Sequence, residues 1–281
     1  MTSLPRAVAL AMAAALVPLP AVAASAEPTR AAALPSVDMA ATVKAAQIDP
    51  RRADDTLTPG AKSSVLRVEK ALQAHHLLAA KWVDGYFGTE TVAAYTRYQK
   101  SLGYTGLGAN GLPGTASLTK LGSGRFTVTD KVAPGKRVDA GDDIVVDTRT
   151  DKMLAEAGRL AKRTLTLSQG SYNPGGDTTS AGTHDGGGVV DISVTGMSAA
   201  TRTAVAKALR QVGFAAWVRD PSQGDWPYHI HAAAISDTDL SPAAQHQTGD
   251  YYLGKNGLAN GAADDGPKVP IRTWEEYQDA H

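Results

Sequence analysis

Ser180-Ala-Gly-Thr-His-Asp-Gly-Gly-Gly-Val-Val-Asp191 and the later Asp225-Trp-Pro-Tyr-His-Ile-His231 decide how this chain reads. Together they offer His184, Asp191 and His231, two imidazoles and one carboxylate. With a fourth position left to water, that is the ligand count of a catalytic zinc site, whereas structural zinc usually takes thiolates. Three glycines, Gly186, Gly187 and Gly188, allow a tight turn between His184 and Asp191. The run Val189–Val194 then reads as a buried strand carrying one carboxylate, and a carboxylate in apolar surroundings needs a partner. His229 and His231 lie two apart in a second strand candidate, Tyr228–Ile235, so alternation puts both imidazoles on one face. One can bind metal while the other stands beside the bound water.

The pattern His-x6-Asp followed by Asp-x3-His-x-His resembles the metallopeptidase superfamily of zinc D-alanyl-D-alanine carboxypeptidases (peptidase family M15) and the hedgehog signalling domain. The resemblance implies that His184, Asp191 and His231 are the zinc ligands. It gives His229 a part in catalysis. It also puts Asp225 at the position of an acidic residue that either orients His229 or acts as the base, although that residue is Glu in the family. Peptidase members commonly carry Ser-Gly-Tyr-Arg before the first ligand, its Arg binding the substrate carboxylate. Here the segment is Ser168-Gln-Gly-Ser-Tyr-Asn173, with no Arg.

Upstream, residues 61–122 read as a separate helical unit. Val65, Val68, Leu72 and Leu77 recur at helical spacing, and so do Val92, Tyr95 and Tyr98. Two similar loops, Val83-Asp-Gly-Tyr-Phe-Gly-Thr89 and Ala109-Asn-Gly-Leu-Pro-Gly-Thr115, join the helices, each with an Asx-Gly turn, a second Gly and a Thr to cap the next helix. This unit resembles the peptidoglycan-binding domain of the type with Asp-Gly-x-Phe-Gly-x-x-Thr and a later Tyr-Gln pair, here Tyr98-Gln99. The resemblance implies a three-helix module that holds cell-wall glycopeptide, so peptidoglycan is the expected partner.

Around these units, residues 1–26 read as a secretory signal. Arg6 precedes the alanine-rich run Ala7–Val17, prolines break it, and Ala24-Ser25-Ala26 offers a cleavage site. The run is too short to span a membrane. Residues 27–60 read as a tether, in which Met39–Gln47 could be helical though nothing is strongly periodic, and residues 123–281 as one α+β domain of helices on a small antiparallel sheet. The 281 residues carry 28 basic and 28 acidic side chains, so no strong field points to nucleic acid. Cysteine is absent, which excludes disulfides and a thiol nucleophile. A wall glycosidase is disfavoured because no acidic pair stands out.

The expected protein is thus α+β, exported and wall-associated: a peptidoglycan-binding module followed by a zinc peptidase domain. A non-catalytic wall-binding protein with a structural zinc is the alternative. The sequence sets no oligomeric state.

Overall fold

The computed structural model describes residues 1–2, 33–53 and 56–281. The expected signal segment lies outside the described residues apart from Met1 and Thr2. Leu34–His281 form one compact unit of mixed helix and sheet, consistent with α+β.

The tether expected over residues 27–60 is regular structure from Ser36 to Arg51. Strand β1 (Ser36–Asp38) leads directly into helix α1 (Met39–Ile48), with Asp38 capping the helix through Ala41 N–H at 2.9 Å. Val37, Met39 and Val43 are fully buried. Ordering this segment is driven by the apolar area it removes from water, roughly 25 cal/mol per Å².

The helical unit follows as α2 (Lys62–Ala74), α3 (Thr89–Ser101) and α4 (Thr115–Leu121), matching the expected spacing. Each of its loops is held by one side chain from the preceding helix. Glu69 accepts from the N–H groups of Gly85 (2.8 Å) and Asp84 (3.1 Å) and from the Thr91 hydroxyl (3.1 Å). Gln99 accepts from Gly111 N–H at 2.9 Å and donates to the Leu112 carbonyl at 2.8 Å.

Burial drives the Glu69 carboxyl up from its ordinary value of 4.5 to about 7, against the pull of the Gly85 hydrogen bond. A pKa raised on folding gives stability that is present at low pH and is lost as pH rises through the folded value. Stability of the wild type relative to Glu69→Gln is therefore expected to fall between pH 4.5 and about 8, with a slope of up to about 1.4 kcal/mol per pH unit. Parallel urea melts across that range test this. Melts whose difference does not change with pH would contradict it.

Beyond the module come β2 (Thr127–Thr129), which pairs in parallel with β1, and the hairpin of β3 (Arg137–Asp139) with β4 (Val145–Asp147). Helix α5 (Thr148–Ala161) starts on an Asp147 cap, 2.7 Å from Thr150 N–H. Then come β5 (Leu167–Gln169), β6 (Val189–Ser193), α6 (Ala199–Gln211), β7 (Phe214–Arg219) and β8 (His229–Ala234). Helix α7 (Pro242–Tyr252) and the short α8 (Trp274–Asp279) complete the chain.

The four strands β5-β6-β8-β7 form an antiparallel sheet in that order. Alternation sorts its two faces. Val190, Ile192, Ala216, Ile230 and Ala232 join the residues of α5 and α6 in one core. Asp191, Trp217, Arg219, His229 and His231 point the other way, where α7 packs across β7 and β8.

The units expected at 61–122 and 123–281 do not have separate cores. Val65, Leu72, Phe87, Tyr95 and Leu118 of the helical unit share one cluster with Val189, Ala233, Leu240 and Ala244. The second loop is part of this junction: Asn110 Nδ2 donates to the carbonyls of Thr238 (2.8 Å) and Leu240 (3.1 Å).

Candidate metal centre

The register of the sheet assembles the centre. Asp191 on β6 lies directly opposite His231 on β8, and Ser193 opposite His229. His184 arrives from the loop before β6, on a short 3-10 turn, Thr183–Asp185. The glycines make this approach possible. A Cβ on Gly186 would sit 2.2 Å from the Asp239 carbonyl, and Gly188 has φ +72 with Asp237 Cβ 2.9 Å from where its own would be.

His184, Asp191 and His231 are buried, and their ligand atoms all lie within 4.8 Å of one another; the group could hold a metal ion. Asp191 Oδ1 is the focus. It is 2.8 Å from His231 Nδ1, 3.4 Å from His184 Nε2 and 3.7 Å from His229 Nε2.

The hydrogen bonds on the far side of each ring fix which nitrogen carries the proton. His184 Nδ1 lies 2.8 Å from the Gly170 carbonyl, which only accepts, so Nδ1 donates. His229 Nδ1 is likewise 2.8 Å from the Pro227 carbonyl. His231 Nε2 is 2.8 Å from Gln247 Oε1, and the orientation of that amide is set by its own Nε2 donating to the Gly257 carbonyl at 3.2 Å. Each neutral ring therefore turns an unprotonated nitrogen toward one carboxylate oxygen. Lone pairs facing a carboxylate repel, and positive charge among them, a metal ion or an added proton, makes the arrangement favourable. His184 Nε2 is fully buried with no hydrogen-bond partner, an orphan that a metal ion would satisfy.

Burial, the largest influence, holds the His231 imidazole below its ordinary pKa, which keeps it neutral as a ligand must be. Burial works to raise the Asp191 carboxyl, but donor character or positive charge on the facing His184 and His231 nitrogens outweighs it and holds the group well below the carboxylate range, so positive charge between these groups stabilises the cluster.

The centre opens into a cleft of about 530 Å³, whose walls include Ser168, Gln169, Arg219, Trp226, Tyr228 and Leu258. His229 is the most exposed of the three imidazoles, with 13% of its side chain accessible against 1% for His184 and 7% for His231. It stands at the mouth, its ring edge-on to Trp226.

Asp225 is not brought into this constellation. It is exposed and does not line the cleft, and the orienting contact on His229 comes from the Pro227 carbonyl. The backbone bends through residues 224–226 and again at Tyr228, so spacing along the chain did not become proximity.

Comparison with family models, with curated proteins and with solved structures returned no match to this chain.

Sequence reading missed Gln247, Arg219 and Gln169. Gln247 sits on α7, distant in sequence from both motifs, and a single amide on a helix gives no signal until packing brings it to His231. Outer-layer partners of metal-binding imidazoles typically matter 10–100-fold in metal affinity. Gln247→Leu is expected to weaken binding of a metal ion at this group by roughly that factor. Gln247→Glu, which can still accept from His231 Nε2, should retain most of it. Competition titrations against a chromophoric chelator test the pair; equal affinity in all three proteins would contradict the role.

Proposed function

We propose that this protein is an exported zinc peptidase of the bacterial cell wall, cutting a peptide bond in peptidoglycan stem peptides or cross-links. The observation that carries the proposal is the convergence of three tautomerically fixed imidazoles on Asp191. The sequence resemblance of both motifs and of the helical unit to wall-directed families supports the choice of substrate.

His184, Asp191 and His231 would hold the zinc. When bound, it would polarise a carbonyl and lower the pKa of water to about 7. His229 would do the proton work. Its free Nε2 faces the centre from the cleft mouth, placed to take a proton from the attacking water and return it to the leaving amine. Trp226 beside it would limit solvent access.

The helical unit would hold the cleft against the wall. Because Asn110 and Leu112 are engaged in intramolecular contacts, the wall-facing surface would lie elsewhere on it, around the exposed Trp82. Incubation of purified peptidoglycan with the zinc-loaded full chain, followed by mass spectrometry of the released material, tests the proposal. Stem peptides with newly freed amino and carboxyl ends are expected. A zinc-loaded protein that sediments with the wall yet releases nothing would favour the non-catalytic alternative.

A further inference from the structure

Among the described residues three arginines are buried, and they are not equally satisfied. Arg149 holds Glu275 with two bonds of 2.8 Å, and Arg210 holds Asp264 with bonds of 2.9 and 2.8 Å. Arg219 is 3% exposed, yet no carboxylate of the described residues lies within ion-pair distance of it. One amino group donates to the Asn256 carbonyl at 2.8 Å; the other is buried with no partner. Its guanidinium lies over the Trp217 ring, 4.9 Å from the centroid.

The position matters as much as the missing partner. Arg219 ends β7 directly opposite His229, on the sheet face that carries Asp191 and His231, and it lines the cleft. Burial pushes its pKa down to about 10 while Asp191 pulls the other way. Asp265 and Asp264 pull the same way more weakly; a metal ion on Asp191 would spend the largest of these negative influences, leaving a buried guanidinium with an unused donor that an incoming anion would satisfy. Across the sheet, Gln169 on β5 pairs with Asp191, lines the same cleft, and also has a buried amide nitrogen without a partner. Both orphans are donors.

We infer that Arg219 is the anchor for a carboxylate of the bound peptide, with Gln169 donating to a carbonyl oxygen on the opposite side of the metal centre. This rests on reading the cleft as peptide-binding. It places the anionic end of the ligand toward β7 and its amide backbone toward β5. The guanidinium is supplied by a different strand from the Ser168–Asn173 segment, which contains no arginine.

Binding separates this inference from the proposed hydrolysis. Calorimetric titrations would use full-length, zinc-loaded protein in a His229→Ala background, so that probes are not consumed. The probes are γ-D-glutamyl-Lys-D-Ala-D-Ala, its C-terminal amide, and the form in which only the glutamyl α-carboxylate is amidated. With Arg219 present, one of the two amidations is expected to weaken binding at least tenfold, and which one identifies the carboxylate.

In Arg219→Gln the same amidation should change affinity less than twofold, while Arg219→Lys, keeping charge but not the planar fork, should keep part of the preference. Each comparison is a ratio within one protein, so partial unfolding of a variant cancels, and zinc content per chain confirms the centre. Equal affinity for all three probes with Arg219 present, no binding of any, or the same preference in Arg219→Gln overturns the assignment. A wild type that shows the preference but hydrolyses nothing overturns the peptidase reading alone.

Discussion

Replacing His184 by alanine is expected to strip the protein of metal and of peptidoglycan hydrolysis together. The ring is fully buried, its Nδ1 is committed to the Gly170 carbonyl, and its Nε2, 3.4 Å from Asp191 Oδ1, has no hydrogen-bond partner and is free to bind a cation. Asp191 and His231 would remain, and two protein ligands are one short of the three a catalytic zinc site uses. The loss of affinity should exceed the roughly 10–100-fold expected for Gln247, since a ligand is removed rather than its support. Elemental analysis and muropeptide assays on the same preparations check this, with circular dichroism as the control for folding. Unchanged metal content in a folded His184→Ala protein would remove the centre as described.

His229→Ala is expected to separate metal from chemistry. The ring stands farther from Asp191 Oδ1, at 3.7 Å, than His184 or His231, and it is the most exposed of the three that line the cleft. Metal content should stay at the wild-type level while turnover falls by roughly 10²–10⁴-fold, the usual contribution of a positioned acid or base. Asp225→Asn should leave turnover within about twofold of wild type, because Pro227 and not Asp225 orients the imidazole. A His229→Ala protein devoid of metal would make this residue a ligand. An Asp225→Asn protein as impaired as His229→Ala would return the proton to Asp225.

Much of this was legible where the information is local. Helices α2 and α3 lie where the apolar spacing of residues 65–77 and 92–98 puts them, because amphipathic spacing acts within a turn or two; the threonines expected to cap α3 and α4 are instead their first helical residues, and Gly88 and Gly114 stand at the caps with no side-chain bond. That His184, Asp191 and His231 come together as a group able to hold a metal ion was legible because ligand chemistry restricts residue types severely.

What failed was non-local. Residues 36–51 look like a tether, since α1 is alanine-rich and lacks a clear polar face, but it is packed against α2 on one side and α7 on another, so most of its residues are buried. A helix buried most of the way round has no stripe to read. The junction at Asn110 depends on carbonyls more than a hundred residues away. Arg219 reads as the polar end of an apolar strand until the pairing of β7 with β8 sets it opposite His229. Register, which places every second side chain on the site face, is a property of two strands and belongs to neither alone.

The central claim is that Asp191 and the imidazoles around it exist to hold a cation. Zinc titration of the metal-stripped wild-type chain, followed beside a variant in which His184, Asp191 and His231 are all replaced by alanine, tests it most directly. One zinc per wild-type chain and none for the variant is the predicted result. A wild type that takes up no zinc, or a variant that takes up as much, would contradict the account.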